Sequence, residues 1–576
     1  MKVRNSILKC SLAAGLLFSA GCSAAPAGTS TPDAASGMIP GSYLGVGEGR
    51  NGAIVVEVTV SEKTIDAIQV ISEHETKNTG TVPVESYPEL MVANQTLNVD
   101  SISGATISSM AMKNAVKDAL VKANGNPDDF NSALDTAPAE IDCEADIVVI
   151  GAGGAGMTAA VTAAREGKSV ILLEKLGIAG GTSNYSIEGF GSVGDGVHNG
   201  LGSDVTAETL AQNLANSNPS GDPEAFKVLA ENNGAAVNWL KSIGAELTVA
   251  SGQTSVASSR EVGELGTVIV SALMAECEKA GVDLRLNNKA TEIVMENDKI
   301  AGVKVSGAGA DYTISAKSVI VTTGGFGANS SMVVENAPSL KGYSSSCSVG
   351  NTGDGQQMAA AVGAELKNMD YIRVNFTYTT KDNGYYYYMG SLFNTGAIFV
   401  NDAGQRFVND QGAYGVGLKV VEQGGSGWAI FDNSIVEGVA DVRNYEKLGL
   451  FVSASSIEEL AEKTGIPAEN LKATIDTYRS YVETGKDEEF GRSMLNMTFD
   501  EAPYYASRMT CRVQGTFGGI STDTEAQVLN ANGEVILGLY AAGEVANEGT
   551  WGANPAAVNV VFGKIAGANA AAYVGE

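Results

Sequence analysis

The sequence predicts an α/β chain, with a large unit built on a buried parallel sheet and a small α+β unit ahead of it. Three observations predict this. The stretch ADIVVIGAGGAGMTAAVTAAREGKSVILLEK reads as strand, glycine turn, helix and second strand, the layout of a βαβ unit. Its first strand, Ile147 to Ile150, is apolar on both faces, as in a sheet covered by helices on either side. Ahead of it, residues 41–124 carry a separate pattern, in which an alternating strand gives way to a glycine turn and a helix of 3.6-residue period.

Composition narrows the chemistry. A chain of 576 residues with 44% hydrophobic residues has room for several domains and a large core. Lys and Arg number 37 against 66 Asp and Glu, a net −29 with no basic patch, which argues against nucleic acid as a partner. The 70 glycines follow no triplet period and point to turns pressed against ligands. With only His74 and His198, and with Cys143, Cys277, Cys347 and Cys511 far apart, a three-histidine zinc site and haem attachment are excluded and no metal is expected.

Residues 1–21 carry Lys2, Arg4 and Lys9, the apolar run SLAAGLLFSA, and Gly21 before Cys22, the layout of an export signal. The ending SAGC looks like a lipoprotein cleavage box, with Ser19 where the box usually has Leu, so residues 1–21 are expected to be a lipoprotein-type signal peptide and Cys22 the lipidated residue. Residues 22–39, rich in Ser, Ala, Pro and Gly, form a tether. No later run of about 18 uncharged apolar residues stands out. The expected address is the cell membrane, lipid-anchored on the extracytoplasmic face.

Residues 40–124 form the small unit. Ile54, Val56, Val58 and Val60 alternate with Val55, Glu57 and Thr59 as in a half-buried strand, and DSISGATISS leads into a helix that repeats Met112, Val116, Ala119 and Leu120. A turn that opens a helix presents free N–H groups and the positive end of the dipole to a phosphate. Here the segment resembles the FMN-binding domain of sodium-pumping quinone reductases and exported flavoproteins, whose Asp-x-x-Ser/Thr-Gly-Ala-Thr pattern stands as Asp100, Ser103, Gly104, Ala105 and Thr106. The resemblance implies that a flavin transferase joins FMN covalently, through a phosphoester, to Thr106.

Residues 125–142 are a polar linker. In the next unit Gly151, Gly153, Gly154 and Gly156 make the tight turn, the close pyrophosphate approach and, at Gly156, the close helix packing, and Glu174, followed by Lys175, ends the second strand where it can accept from a ribose hydroxyl. GGTS, from Gly180 and Gly181 to Thr182 and Ser183, suits backbone donation to phosphate or flavin; SVIVTTGGFGAN brings Thr323, Gly324 and Gly325; GLYAAGEV brings Gly543 and Glu544. With TGDG around Asp354, GAIFVNDAGQRFVND, and GANPAAVN ending at Asn559, the chain from about Glu144 onward resembles the flavoprotein family of soluble fumarate reductases, urocanate reductases and 3-ketosteroid dehydrogenases. The resemblance implies non-covalent FAD in a Rossmann-type domain made of residues 143–374 and 506–576. It also implies an inserted α+β capping domain, residues 375–505, that closes over substrate and excludes water.

The motif residues that hold a dicarboxylate in fumarate reductases are replaced. The acid arginine five residues after the asparagine of their RF-x-N-E falls on Tyr414; their histidines fall on Asn375 and on Gly515, beside Gln514; the arginine of GANR falls on Pro555. This argues against fumarate and urocanate. What remains is aromatic: Tyr371, Phe376, Tyr378, Tyr385 to Tyr388, Phe393, Tyr414, Phe517 and Trp551. Ketosteroid-acting relatives use tyrosines as acid or base, so Tyr414 is the candidate proton donor, with Tyr378 as the second. Asn375, Gly515, Trp551 and Pro555 are candidate substrate positions. A phenol with a pKa near 10 stays protonated at neutral pH.

The expected function is a reductase that passes electrons from FMN to FAD and then, as hydride, to the C=C bond of an activated, α,β-unsaturated acceptor in anaerobic respiration. Its donor would be a quinol- or NADH-linked membrane flavoprotein. Two alternatives stand beside it. One is a dehydrogenase running in the desaturating direction on a ketone or steroid-like substrate, and the other a non-catalytic electron carrier or ligand-binding surface lipoprotein.

Overall fold

The computed structural model describes residues 37–575 apart from 135–140, 187–189, 194–204, 220, 250–254, 258–263, 308, 381–383, 412–415, 547 and 551–552. The signal peptide, Cys22, Tyr414 and Trp551 lie outside the described residues.

In the small unit, strands Gly41–Glu48, Ala53–Val60 and Ile65–Ser72 form an antiparallel sheet in chain order. The alternation read in the sequence is the burial pattern observed. Ile54, Val56, Val58 and Val60 are at most 2% exposed and turn toward helix Thr106–Lys122, whose Ala111, Met112, Ala115, Val116, Ala119 and Leu120 are buried in return. Gly45 and Gly47 permit the close approach, because a Cβ at either would run into the helix carbonyls of Ala115 or Ala111.

The large unit is built on an eight-stranded sheet. Asp311–Val321, Cys143–Ile150, Val170–Leu173 and Asp283–Arg285 run parallel in that order, and Val535–Ala541 joins the far end of Asp311–Val321, also parallel. Strands Lys289–Glu296 and Lys299–Ser306 extend it as an antiparallel meander. Helix Gly154–Arg165 packs between Leu265–Ala280 and the C-terminal helix Pro555–Gly575. That last helix is the one among the described residues long and apolar enough to cross a membrane. Here it is a core helix: a Cβ at Gly563 would lie 2.7 Å from Ala155 O.

The cap carries its own sheet, in the order Tyr386–Tyr388, Ile372–Thr380, Tyr504–Thr516, Ser426–Asp432 and Ile398–Val400. Its core holds a buried charge network. Arg406 donates to Asp410 (2.9 Å) and Asp487 (2.8 Å), Arg492 donates to Asp410 (2.9 Å), and none of the four side chains is more than 2% exposed. Two cations against two anions leave the network neutral, which is what makes its burial tolerable. Asp410 also accepts from Phe399 N (3.0 Å), so the network anchors the FVND segment that leads to Tyr414.

Candidate active site

The three units meet around one cavity of about 1540 Å³. The small unit contributes the turn from Ser103 to Thr106; the large unit contributes Gly151, Gly153 and Gly154; the cap contributes Tyr378 and Tyr385 to Tyr388.

The SGAT turn is shaped for a phosphate. Gly104 takes φ of 95°, a left-handed conformation that suits glycine, and Thr106 is the first residue of its 17-residue helix. The residue before it, Ala105, offers no side-chain cap, so the N–H groups of the first turn are left for an external anion. Thr79 Oγ1, buried at the cavity wall, has no partner. Glu75 stands beside it, accepting from Asn51 N (2.9 Å) and from Ser108. These features fit FMN esterified at Thr106.

The turn also docks the small unit. A Cβ on Gly104 would come within 2.9 Å of Ile178 Cδ1, and one on Gly177 within 3.2 Å of Ile102 Cγ2. Asn78 Nδ2 donates to Thr267 O (3.1 Å) and Ser271 Oγ (3.0 Å) on helix Leu265–Ala280.

On the dinucleotide side, Gly151 has φ of 104° and a Cβ there would sit 2.6 Å from Thr322 O. Glu174 accepts from Ala152 N (3.1 Å) and Leu176 N (2.9 Å), and burial raises its pKa above the usual carboxylate value. Lys175 Nζ donates to Thr352 Oγ1 (2.5 Å) and Asp354 Oδ2 (2.7 Å). Thr182 Oγ1 accepts from Ser348 N (3.1 Å) and donates to Asn351 (3.2 Å); Ser183 Oγ accepts from Gly154 N (3.1 Å) and Asn559 Nδ2 (3.3 Å). Glu544 is half-buried at the cavity wall, accepting from Thr516 N (3.0 Å) and Asn351 Nδ2 (2.9 Å), and burial pushes its pKa up. Thr323 Oγ1 and Gln514 Oε1 are buried at the cavity with no partner. Two orphaned polar atoms beside a glycine cradle fit the polar groups of FAD.

Most sequence-predicted positions line this cavity. Among the cofactor positions Gly181, Gly324, Gly543 and Asp354 do, and Gly515 and Pro555 do on the substrate side. Gly156, Gly180 and Gly325 stand one layer behind, where a side chain would collide with Gly151 O, Asn184 and Glu544 respectively. They shape the wall without lining it. Asn375 is a correction. It is fully buried away from the cavity, and both its amide atoms lack partners.

The expectation of a site without cations is also corrected. Arg373, Arg512 and Arg50 line the cavity. Arg373 pairs in register with Gly515, and Arg512 with Asn375, across the antiparallel strands Ile372–Thr380 and Tyr504–Thr516. Each lost histidine position therefore has an arginine as its cross-strand partner. The Arg373 guanidinium lies 4.4 Å over the Phe517 ring; that of Arg512 lies 5.1 Å over Tyr378 and 4.2 Å over Tyr386. Arg512 donates to Ser344 Oγ (3.0 Å) and Ser345 O, and pairs with no carboxylate among the described residues. Burial lowers its pKa. Burial raises that of Tyr378, against the opposing pull of Ser346 and Arg512.

A glycine-cradled βαβ site beneath an aromatic cap, beside a second flavin turn, defines a two-flavin oxidoreductase. The family model described as FAD binding domain matches residues 146–561, and that described as FMN-binding domain matches residues 49–121. The chain is 33% identical to the urocanate reductase of Eggerthella lenta over 99% of both chains. It is 34% identical to a fumarate reductase (cytochrome) of Shewanella frigidimarina over 77% of this chain and 79% of that one. The open conformation of a flavocytochrome c3 fumarate reductase superposes with a TM-score of 0.65 at 31% identity, covering 75% of this chain and 79% of that one. The chain belongs to the FAD-binding flavoprotein family of these reductases, with an FMN-binding domain in front. It is a flavin-dependent oxidoreductase acting on CH–CH groups, with FAD and FMN as cofactors.

Proposed function

We propose that this flavoprotein reduces the C=C bond of an α,β-unsaturated compound with a planar aromatic body and a single carboxylate. It works on the extracytoplasmic face of the cell membrane, tethered through lipid on Cys22, in anaerobic respiration. A quinol- or NADH-linked membrane flavoprotein is its donor, and a flavin transferase matures it. The observation that carries this reading is the single cavity shared by Thr106, the Gly151 turn and the arginine–tyrosine wall.

When bound, the FMN held at Thr106 would supply the electron inlet, and the FAD whose pyrophosphate the Gly151 turn would hold would supply a hydride for the β-carbon. The remaining work falls to side chains. Arg373 and Arg512 hold the carboxylate by charge-assisted hydrogen bonds and draw electron density from the alkene. Tyr385 to Tyr388 and Phe517 flank the planar body. Tyr378, neutral because burial raises its pKa, gives its proton to the α-carbon, and the phenolate left behind faces the Arg512 guanidinium at 5.1 Å from the ring. Tyr414 is the alternative donor.

Thr106→Ala tests the electron inlet. The variant is expected to lose the covalent flavin fluorescence seen on a denaturing gel, to keep turnover with reduced viologen, and to lose turnover with its membrane donor. Full activity with the membrane donor would overturn the relay.

A further inference from the structure

Arg50 belongs to the small unit by sequence but reaches the cap. Its Nη2 donates to Tyr386 O at 3.0 Å, and its guanidinium lies 4.6 Å over the Tyr385 ring. The strand it grips is short. Tyr386–Tyr388 is an edge strand held by one ladder of three register pairs, Tyr386 with Thr380, Tyr387 with Thr379 and Tyr388 with Tyr378. So short an edge strand has little stability of its own. On the inner side the Tyr386 ring meets Arg512 at 4.2 Å. The tyrosine strand thus sits between two guanidinium groups, one from the FMN-binding domain and one from the strand that closes the cap, and all four tyrosines from Tyr385 to Tyr388 border the cavity.

We propose that Arg50 is a positioning residue of the substrate site. It clamps the tyrosine strand from the FMN-binding domain, so the aromatic wall is fully assembled only while that domain is docked. Docking is fixed independently by the contact of Ile102 and Gly104 with Gly177 and Ile178, and by Asn78 on helix Leu265–Ala280. Arg50 therefore transmits the docked state to the cap and does not create it. Substrate binding and electron entry are coupled through this contact: a chain whose FMN-binding domain is undocked binds its acceptor poorly. The inference rests on the reductase reading for its kinetic consequence, while its structural half stands without it.

The test uses the full chain with both flavins and three variants, Arg50→Ala, Arg50→Lys and Tyr385→Ala. Amide hydrogen exchange over residues 385–389 is expected to quicken at least about 5-fold in Arg50→Ala and less in Arg50→Lys. With reduced viologen, which feeds FAD directly, KM for the probe 3-phenylpropenoate is expected to rise about 5- to 20-fold in Arg50→Ala while kcat changes less than about 2-fold. Tyr385→Ala leaves the FMN-binding domain untouched and removes the ring beneath the Arg50 guanidinium while keeping the Tyr386 carbonyl. It should quicken exchange less than Arg50→Ala does, an effect that loss of FMN cannot mimic; exchange is the readout for this variant, since Tyr385 itself borders the cavity and its removal would change KM directly. Unchanged exchange or an unchanged KM in Arg50→Ala would overturn the proposal. A wild-type chain that reduces no alkene, yet shows the exchange effect, would overturn the reductase reading and leave the clamp standing.

Discussion

Arg373 stands directly across the antiparallel pair from Gly515, and its guanidinium covers the Phe517 ring at the cavity wall. A cation lost from one strand is supplied by the next. Arg373→Ala is expected to raise KM for an aryl-substituted alkene carboxylate roughly 10- to 100-fold, the equivalent of losing about 1.5–3 kcal/mol in a hydrogen bond to a charged group. Steady-state kinetics with reduced viologen measures it. An unchanged KM would remove the arginine from the substrate site.

Arg512→Lys should not rescue what Arg512→Ala loses. The planar guanidinium stacks on Tyr386 while donating to Ser344 and Ser345, and an ammonium group cannot do both. Both variants are expected to lower kcat at least about 10-fold, because the Tyr378 phenolate loses its facing cation in Arg512→Ala, and in Arg512→Lys keeps a charge that is no longer held in place by stacking on Tyr386 and donation to Ser344. A pH–rate profile should show the acidic group of the profile moving to higher pH in Arg512→Ala, since Arg512 pulls the Tyr378 pKa down against burial.

Gly151→Ala should abolish FAD retention. The backbone there is left-handed at φ of 104°, and the added methyl would sit 2.6 Å from Thr322 O. The two effects together cost a few kcal/mol at the turn that approaches the pyrophosphate. The ratio of absorbance at the flavin band to that at 280 nm after gel filtration checks it, with Thr106-linked FMN as the internal reference.

Asp354 gives a pH-dependent stability term. Burial opposes its ionisation, but the hydrogen bond and charge of Lys175, with Lys289 beyond, hold its carboxyl below the ordinary 3.8. A depressed folded pKa means that the stabilisation is complete above the unfolded value and is lost as pH falls through the folded one. The Tm difference between the wild type and Asp354→Asn should therefore be constant from neutral pH down to about 5 and shrink below 3.8. A difference that grows on acidification would contradict the assignment.

Asp410→Ala is expected to cost about 3–5 kcal/mol, because it leaves Arg492 and part of Arg406 buried without their anion. Denaturant unfolding of the cap, followed by tryptophan fluorescence, measures it. The loss should also slacken the segment leading to Tyr414, which Asp410 ties to Phe399.

Where local chemistry carries the signal, the sequence was sufficient. The Gly151 turn, Glu174 and the SGAT turn each depend on residues within one strand–turn–helix, and all stand where their pattern placed them. Gly156 is a glycine for the close packing its place in the motif implies, and Gly180 and Gly325, expected to touch cofactor, are glycines because a wall packs behind them. The arginines could not be read along the chain. Arg373 and Arg512 reach the site from strands that meet only in the folded sheet, and register shifts between Arg373 and Val374 and between Asn375 and Tyr378 break the simple alternation that would have predicted which side chains face inward. Arg50 comes from another domain altogether.

The most direct measurement is anaerobic oxidation of reduced viologen by the flavin-loaded chain across a matched panel. The panel pairs aryl-substituted alkene monocarboxylates with the corresponding neutral enones, and adds fumarate. Turnover of the aryl monocarboxylates, with a KM that rises in Arg373→Ala and Arg512→Ala, is the predicted result. Turnover confined to neutral enones, indifferent to both arginines, would contradict it.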